Sequence, residues 1–246
     1  FPLICPPGLP LWMVAVGVTF GVMVGKELFG GTGRNLFNPA LVGRGFLAMG
    51  YPAAMASNWI LPKVAPPGRL LQYVAGGASD AVASATPLGA AMSSNWVDVQ
   101  NLVLGNVAGS AGETSALLIV LGGIFLILTR VADWRTPLST IVSFLALGYL
   151  LHYAWPEAVQ RPGWQLLAGG LLFGAFFMAT DPISGPTSKA ARWAYGMLIG
   201  SVTLIIRHFT GYVEGVTFAI LLGNVFAPIF DEMVFRVQRG RLSREG

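Results

Sequence analysis

Seven stretches of this chain contain no Asp, Glu, Lys or Arg: Phe1–Gly25, Gly45–Pro62, Thr114–Thr129, Thr136–Pro156, Gly163–Thr180, Trp193–Ile206 and Gly215–Phe230. A bilayer core of roughly 30 Å takes about 20 mainly apolar residues as helix, with ~17 the practical lower end. Most of the stretches reach that length once flanking residues are added. They predict six or seven membrane segments in one membrane domain spanning residues 1–246. Charged residues make up 11% of the chain, under half the roughly 25% of a soluble domain. Short segments of alternating polarity, the mark of a membrane β-barrel, are absent from the sequence. The fold class is therefore an all-α integral membrane protein, a multi-span helical bundle.

The chain opens at Phe1, inside an apolar run and without the basic region or cleavage site of a signal peptide. That start predicts a fragment lacking its N-terminal segment. Cys5 is the one cysteine and is predicted to be a small buried apolar residue. His152 and His208 stand far apart, with no His-x-x-x-His or Cys-x-x-Cys spacing, so no metal or haem ligation is predicted. The net charge of +4 is modest and its basic residues fall between apolar stretches. They read as topology signals and not as a nucleic-acid surface.

The basic residues orient the spans. Residues 235–246 carry Arg236, Arg239, Arg241 and Arg244, the densest basic cluster, and so form a cytoplasmic tail. Walking back one span at a time puts Gly211–Glu214 outside, Lys189 and Arg192 inside, Arg161 outside, and Arg130 and Arg135 inside. The same count makes residues 57–113 an external segment and sets Lys26, Arg34 and Arg44 near the cytoplasmic face. Tryptophans 12, 59, 96, 155, 164 and 193 lie near predicted span ends, as an interfacial belt would.

Two apolar stretches run into Gly/Asn/Pro-rich breaks, at Phe29–Pro39 and Ala179–Pro186, and Asn224 and Pro228 interrupt the last. Proline removes an amide donor and glycine weakens a helix. Such broken segments in pairs point to inverted repeats around a binding site; loops at span ends are the plainer reading.

Three groups of residues carry potential chemistry. Asp80-Ala-Val-Ala-Ser-Ala-Thr-Pro-Leu88 is a run of small residues that exposes the Thr86 hydroxyl; taken alone it is an ordinary turn, with Pro87 ending any local helix. Asn35 and Asn38 offer donors and acceptors suited to a heterocycle edge, or else cap their own backbone. Glu27, Asp181 and Asp231 are acids in or beside membrane segments. An ionised carboxylate there marks an ion path by default, unless it pairs with Lys26, Lys189 or Arg236 respectively.

Taken together, Pro10-Leu-Trp-Met13, Lys26-Glu-Leu-Phe-Gly-Gly-Thr-Gly-Arg-Asn-Leu-Phe-Asn-Pro-Ala-Leu-Val-Gly-Arg44, Ser84-Ala-Thr-Pro-Leu88, Phe177-Met-Ala-Thr-Asp-Pro182 and Ala227-Pro-Ile-Phe-Asp231 closely resemble the B subunit of the Na+-translocating NADH:quinone oxidoreductases. The resemblance runs from residue 1 to about residue 240. The related D subunit of the Rnf ferredoxin:NAD complexes is the near competitor, with Gly-Leu-Gly-Gln-Asn where this chain has Gly31-Thr-Gly-Arg-Asn35. A non-redox membrane channel or carrier is the rival of another class.

The resemblance implies FMN esterified through its phosphate to Thr86, attached by a flavin transferase outside the cytoplasmic membrane. Asp80 and Ser84 match the flanking positions, Ser84 standing where the family commonly has glycine. It implies riboflavin near Asn35 and Asn38, and a cation path through Asp181 and Asp231. It further implies a bundle of two inverted repeats in the bacterial cytoplasmic (inner) membrane. Partners would be the other subunits of a respiratory complex, quinone, Na+ and the bilayer, with no nucleic acid.

Overall fold

In a computed structural model, residues 1–57, 59, 86–92, 96–156, 159–210, 212 and 215–245 are described, and these contain helices and no strand. In chain order the helices are α1 (Leu11–Gly25), α2 (Pro39–Gly50), α3 (Pro52–Ser57), α4 (Pro87–Met92) and α5 (Val99–Leu104). Then come α6 (Ala116–Leu128), α7 (Arg135–Ala154) and α8 (Pro162–Leu167). α9 (Leu171–Phe173) runs on as a π-helical turn over Gly174–Met178, and α10 (Lys189–Phe209) and α11 (Val216–Glu245) complete the bundle.

The six or seven crossings expected from the charge-free stretches reduce, among the described residues, to three helices long and apolar enough to cross: Leu11–Phe29, Arg135–Ala154 and Val216–Gly240. α10 has the length, at 21 residues, but carries Lys189, Arg192 and Arg207. α6, at 13 residues, rises only about 20 Å. Two charge-free stretches do not continue as single helices. Gly45–Pro62 breaks between α2 and α3 at Tyr51–Pro52, where Pro52 supplies no amide to continue α2. Gly163–Thr180 breaks at Ala168–Gly170, where Gly169 adopts φ +74°, a left-handed conformation that glycine takes without a Cβ penalty.

Close helix packing is made by small residues. The buried residues of α1 are Gly17, Gly21 and Gly25, one every fourth position, and a Cβ on Gly21 would fall on the Pro39 carbonyl and lie 3.0 Å from Gly43 N. This is how helices approach in a bilayer, where apolar side chains gain nothing by leaving lipid. α10 meets α7 the same way: a Cβ on Gly200 would collide with the Thr140 carbonyl and Ser143 Oγ. Gly200→Ala is therefore expected to destabilise the protein by about 1–3 kcal/mol through overpacking. Thermal unfolding in detergent checks this, against Gly50→Ala, whose Cβ meets nothing within 4 Å.

Phe144, Tyr195, Ile199, Leu204 and Ile220 fill the centre between α7, α10 and α11. The outside is apolar too, with Leu118, Leu121, Phe125 and Leu128 of α6 exposed. Edge-to-face Trp134–Trp193 sits at the start of α7 and α10, and Trp96–Trp164 at the other end of α10. Trp59, expected in that belt, is instead buried.

Candidate functional site

Thr86 precedes Pro87, which opens α4 where a helix end was expected; proline suits a first helical turn, whose amides have no helical acceptor. The Thr86 hydroxyl accepts from Gly89 N at 3.3 Å, and the half-buried residue lines a small cleft with Leu102, Glu113 and Gly169. Asp80 and Ser84 lie outside the described residues. Across the cleft is a cluster that the charge pattern did not single out. Glu113 accepts from Arg44 at 3.0 Å, both side chains 3% exposed, and Gly170 is packed so closely that a Cβ there would strike the carboxylate. Arg44, expected near the cytoplasmic face, is thus inside the bundle, because α2 starts within it and carries Arg44 inward.

The Gly169 break ends α8 and frees its last carbonyls. Arg207, from the far end of α10, takes them up, donating to Gln165 O at 2.8 Å and Ala168 O at 3.4 Å while stacking over Phe144. A cation at a helix C-terminus satisfies both acceptors and dipole. Gln165 in turn meets His208 Nε2 at 2.9 Å. The sequence signal for Glu113 was its place in Gly109-Ser-Ala-Gly-Glu-Thr114, directly before an apolar run.

Asn38 caps α2, its Oδ1 accepting from Ala40 N at 3.0 Å, while Asn35 is buried and donates to Phe37 O at 3.1 Å. Both therefore make the local backbone contacts that were one of the two readings. The cap leaves the Asn38 side-chain nitrogen Nδ2 over, while the backbone N–H of Asn38 points to Asn224. With its amide oriented to match every polar atom, Asn224 accepts from Asn38 N at 3.2 Å and donates to Tyr195 Oη at 2.7 Å and Ile220 O at 3.2 Å. The Asn38 cap and Asn224 thus meet in the core, and α11 runs unbroken through Asn224 and Pro228 where an interruption was expected. Pro228, inside α11, supplies no amide to the Asn224 carbonyl four residues back.

At the N-terminal end of α10, Asp181 lines a cavity of about 300 Å3 with Thr180, Asp133, Arg130, Arg192 and Thr136. Neither expected partner is found on the two acids. Asp181 bonds within its own turn, accepting from Ser184 Oγ at 2.7 Å and Ile183 N at 3.2 Å, not from Lys189. Asp231 accepts from Thr187 and Ser188, and Arg236 bonds Glu232 instead. Glu27 is exposed. Thr86 and Asp181 lie at opposite ends of α10, whose 21 residues span about 31 Å.

Asp133 joins two helix starts, bonding Arg135 at 2.9 Å and Arg192 at 2.6 Å. Burial pushes its carboxyl up, but the Arg135 amide and the two guanidiniums outweigh this and hold it below the usual carboxylate range. A depressed folded value gives stability that is present above the unfolded value of about 3.9 and is lost as pH falls through the folded one. Asp133→Asn is expected to lower the thermal midpoint at neutral pH and to flatten its decline below about pH 4. Midpoints taken down an acid series check it; a decline as steep as wild type counts against it.

A family model described as the NQR2, RnfD, RnfE family matches residues 1–240. The chain is similar to proteins named as the B subunit of the Na(+)-translocating NADH-quinone reductase. The one from Pseudomonas paraeruginosa is 40% identical over 254 residues, covering 100% of this chain and 60% of the relative. That from Ectopseudomonas mendocina is 38% identical over 257 residues (99% and 60%), and that from Klebsiella pneumoniae strain 342 is 40% identical over 256 residues (100% and 60%). The chain spans 60% of the length of these relatives.

Proposed function

Since the chain belongs to the NQR2, RnfD, RnfE family, we propose that it is part of the membrane-embedded B subunit of a sodium-translocating NADH:quinone reductase. It works in the bacterial inner membrane with the other subunits of that complex and with quinone. The observation that carries this reading is the 40% identity to a B-subunit protein over the whole of this chain.

On this reading Thr86 carries FMN as a phosphoester, set there by a flavin transferase, with Asp80 helping to present the loop and Ser84 the small residue in the glycine position. Riboflavin is held near Asn35 and Asn38. What supports this is that the Thr86 hydroxyl borders a small cleft lined by Gly169 and Ala108, and that the Asn38 cap uses only the side-chain oxygen and leaves Nδ2 over. Flavins, when bound, supply one- and two-electron transfer. The chain's own part is to hold them apart and to place carboxylates where cation charge is balanced, at Asp181 and Asp231, in a bundle of two inverted repeats.

Distance decides which flavin site can act on those acids. At an effective dielectric of about 20, unit charges 30 Å apart interact by about 0.5 kcal/mol, and 10 Å apart by about 1.7 kcal/mol. Asn224, which touches Asn38, lies two helical turns from Asp231 on α11, about 10 Å. Charge arriving near Asn38 therefore couples to Asp231 at about 10 Å, whereas charge at Thr86, a helix length from Asp181, acts on that acid weakly.

The reading is tested on the purified complex containing the full-length subunit. Quinone reduction by NADH should rise with Na+; a rate indifferent to Na+ overturns the assignment, and electron entry from ferredoxin in place of NADH points to an Rnf-type complex.

A further inference from the structure

We propose that Asp231 is a positioning residue for Asp181: it holds the start of α10, and with it the turn that carries Asp181, and does not ligate the cation. This rests on the cation-path reading above and assigns the two acids different parts in it.

The carboxylate of Asp231 is already engaged. Its Oδ2 accepts from Thr187 N at 2.8 Å and Thr187 Oγ1 at 2.9 Å, and its Oδ1 accepts from Ser188 N at 2.8 Å. A carboxylate offers about four lone-pair directions, so three are taken. Two of the donors are backbone amides at the mouth of a 21-residue helix, where the macrodipole leaves partial positive charge. That field favours the anion and opposes a second cation on the same oxygens. Ser188 is itself the cap of α10, its Oγ accepting from Ala191 N at 3.3 Å. Asp231, one chain segment away on α11, completes what the cap leaves open.

The link from there to Asp181 is short and stiff. Pro182 and Pro186 each fix a backbone angle. The Asp181 carboxylate takes Ser184 Oγ and Ile183 N, and Gly185 N returns to Asp181 O at 3.1 Å. A Cβ on Gly185 would lie 2.9 Å from that same oxygen, so the turn is closed on itself. Arg192 Nε donates to Pro186 O at 3.1 Å and its Nη1 to Asp133. The segment from Asp181 to Ser188 therefore moves with the start of α10. Asp181 borders the cavity of about 300 Å3, and Asp231 is not among the residues lining it.

The test uses the assembled complex with the full-length subunit and reads the Na+ concentration that half-saturates turnover. Thr187→Val leaves both carboxylates and removes one hydroxyl donor to Asp231. It is expected to raise half-saturation roughly threefold or more, with turnover at saturating Na+ unchanged. Asp231→Asn should shift it the same way, and the double variant no further than Asp231→Asn alone, because both act through one contact. Wild-type half-saturation in Thr187→Val beside a raised value in Asp231→Asn makes Asp231 a direct ligand and overturns the proposal. Loss of yield or thermal midpoint with half-saturation unmoved in both makes the contact merely structural, and overturns it equally. If Asp231→Asn does not assemble, Thr187→Val decides alone. Asp181→Asn tests the underlying reading: unchanged half-saturation there removes the cation path itself, whatever Thr187→Val shows.

Discussion

Thr86→Ala is expected to abolish the flavin fluorescence that stays with the subunit on a denaturing gel. The loss should be complete, because alanine has no oxygen on which a phosphoester can form. The structural cost is small by comparison. Removing the hydroxyl that accepts from Gly89 N costs about 1 kcal/mol as a lost helix cap, too little to unfold the bundle. Thr86→Ser keeps both the oxygen and the cap and should retain fluorescence. A dark band in Thr86→Ala beside a bright one in Thr86→Ser, at equal protein, therefore reads chemistry and not folding. Fluorescence surviving in Thr86→Ala, or a dark wild type, removes the attachment at this residue.

The second large effect concerns the buried pair of Arg44 and Glu113, each 3% exposed at the side chain. Arg44→Met strips the carboxylate of a partner it cannot replace with water. Breaking a buried pair from one side costs about 3–5 kcal/mol, a large part of the stability of an ordinary domain. The subunit is expected to disappear from the detergent extract or to melt far below wild type. Arg44→Met combined with Glu113→Leu removes both charges and should recover most of the lost stability, since replacing both members of such a pair with apolar groups is often neutral. Size-exclusion profiles and melting curves of the three proteins check this. A stable Arg44→Met single variant sinks the argument, as does a double variant no better than the single.

Much of the fold is legible in the sequence. Charge-free runs mark the apolar helices because an unpaired charge in hydrocarbon is costly wherever it sits, so α1 and α6 fall inside them, α11 begins in one, and α7 enters one after its first residue, Arg135. The breaks were legible too, since Gly and Pro act on their own backbone: the chain leaves helix around Gly30–Gly33 and at Pro182–Pro186. What those tokens do not carry is direction. Pro87 reads as a stop and is a start, and Gly163–Thr180 reads as one span and is two short helical pieces either side of Gly169. A proline is compatible with either side of a boundary, and only neighbours decide which. Asp80 and Ser84 fall outside the described residues, and their part in flavin attachment rests on the family resemblance alone.

The candidate site divides the same way. That few charges exist, that Asp181 and Asp231 stand at the ends of apolar runs, and that Thr86 sits among small residues are properties of local sequence, and they survive in any arrangement of the helices. Which charge meets which does not. Lys189 lies eight positions from Asp181 and makes no bond to it, whereas Glu113 is paired with an arginine 69 positions away, and Asp231 reaches amides 43 and 44 positions back. Nearness along the chain is a poor guide once helices fold back on one another. A buried charge takes whichever opposite group or orphan amide the packing brings within about 3 Å. Sequence alone settled that the chain is a helical membrane protein and where its charges are scarce. The packing of α2, α10 and α11 settled which groups Arg44, Glu113 and Asp231 meet.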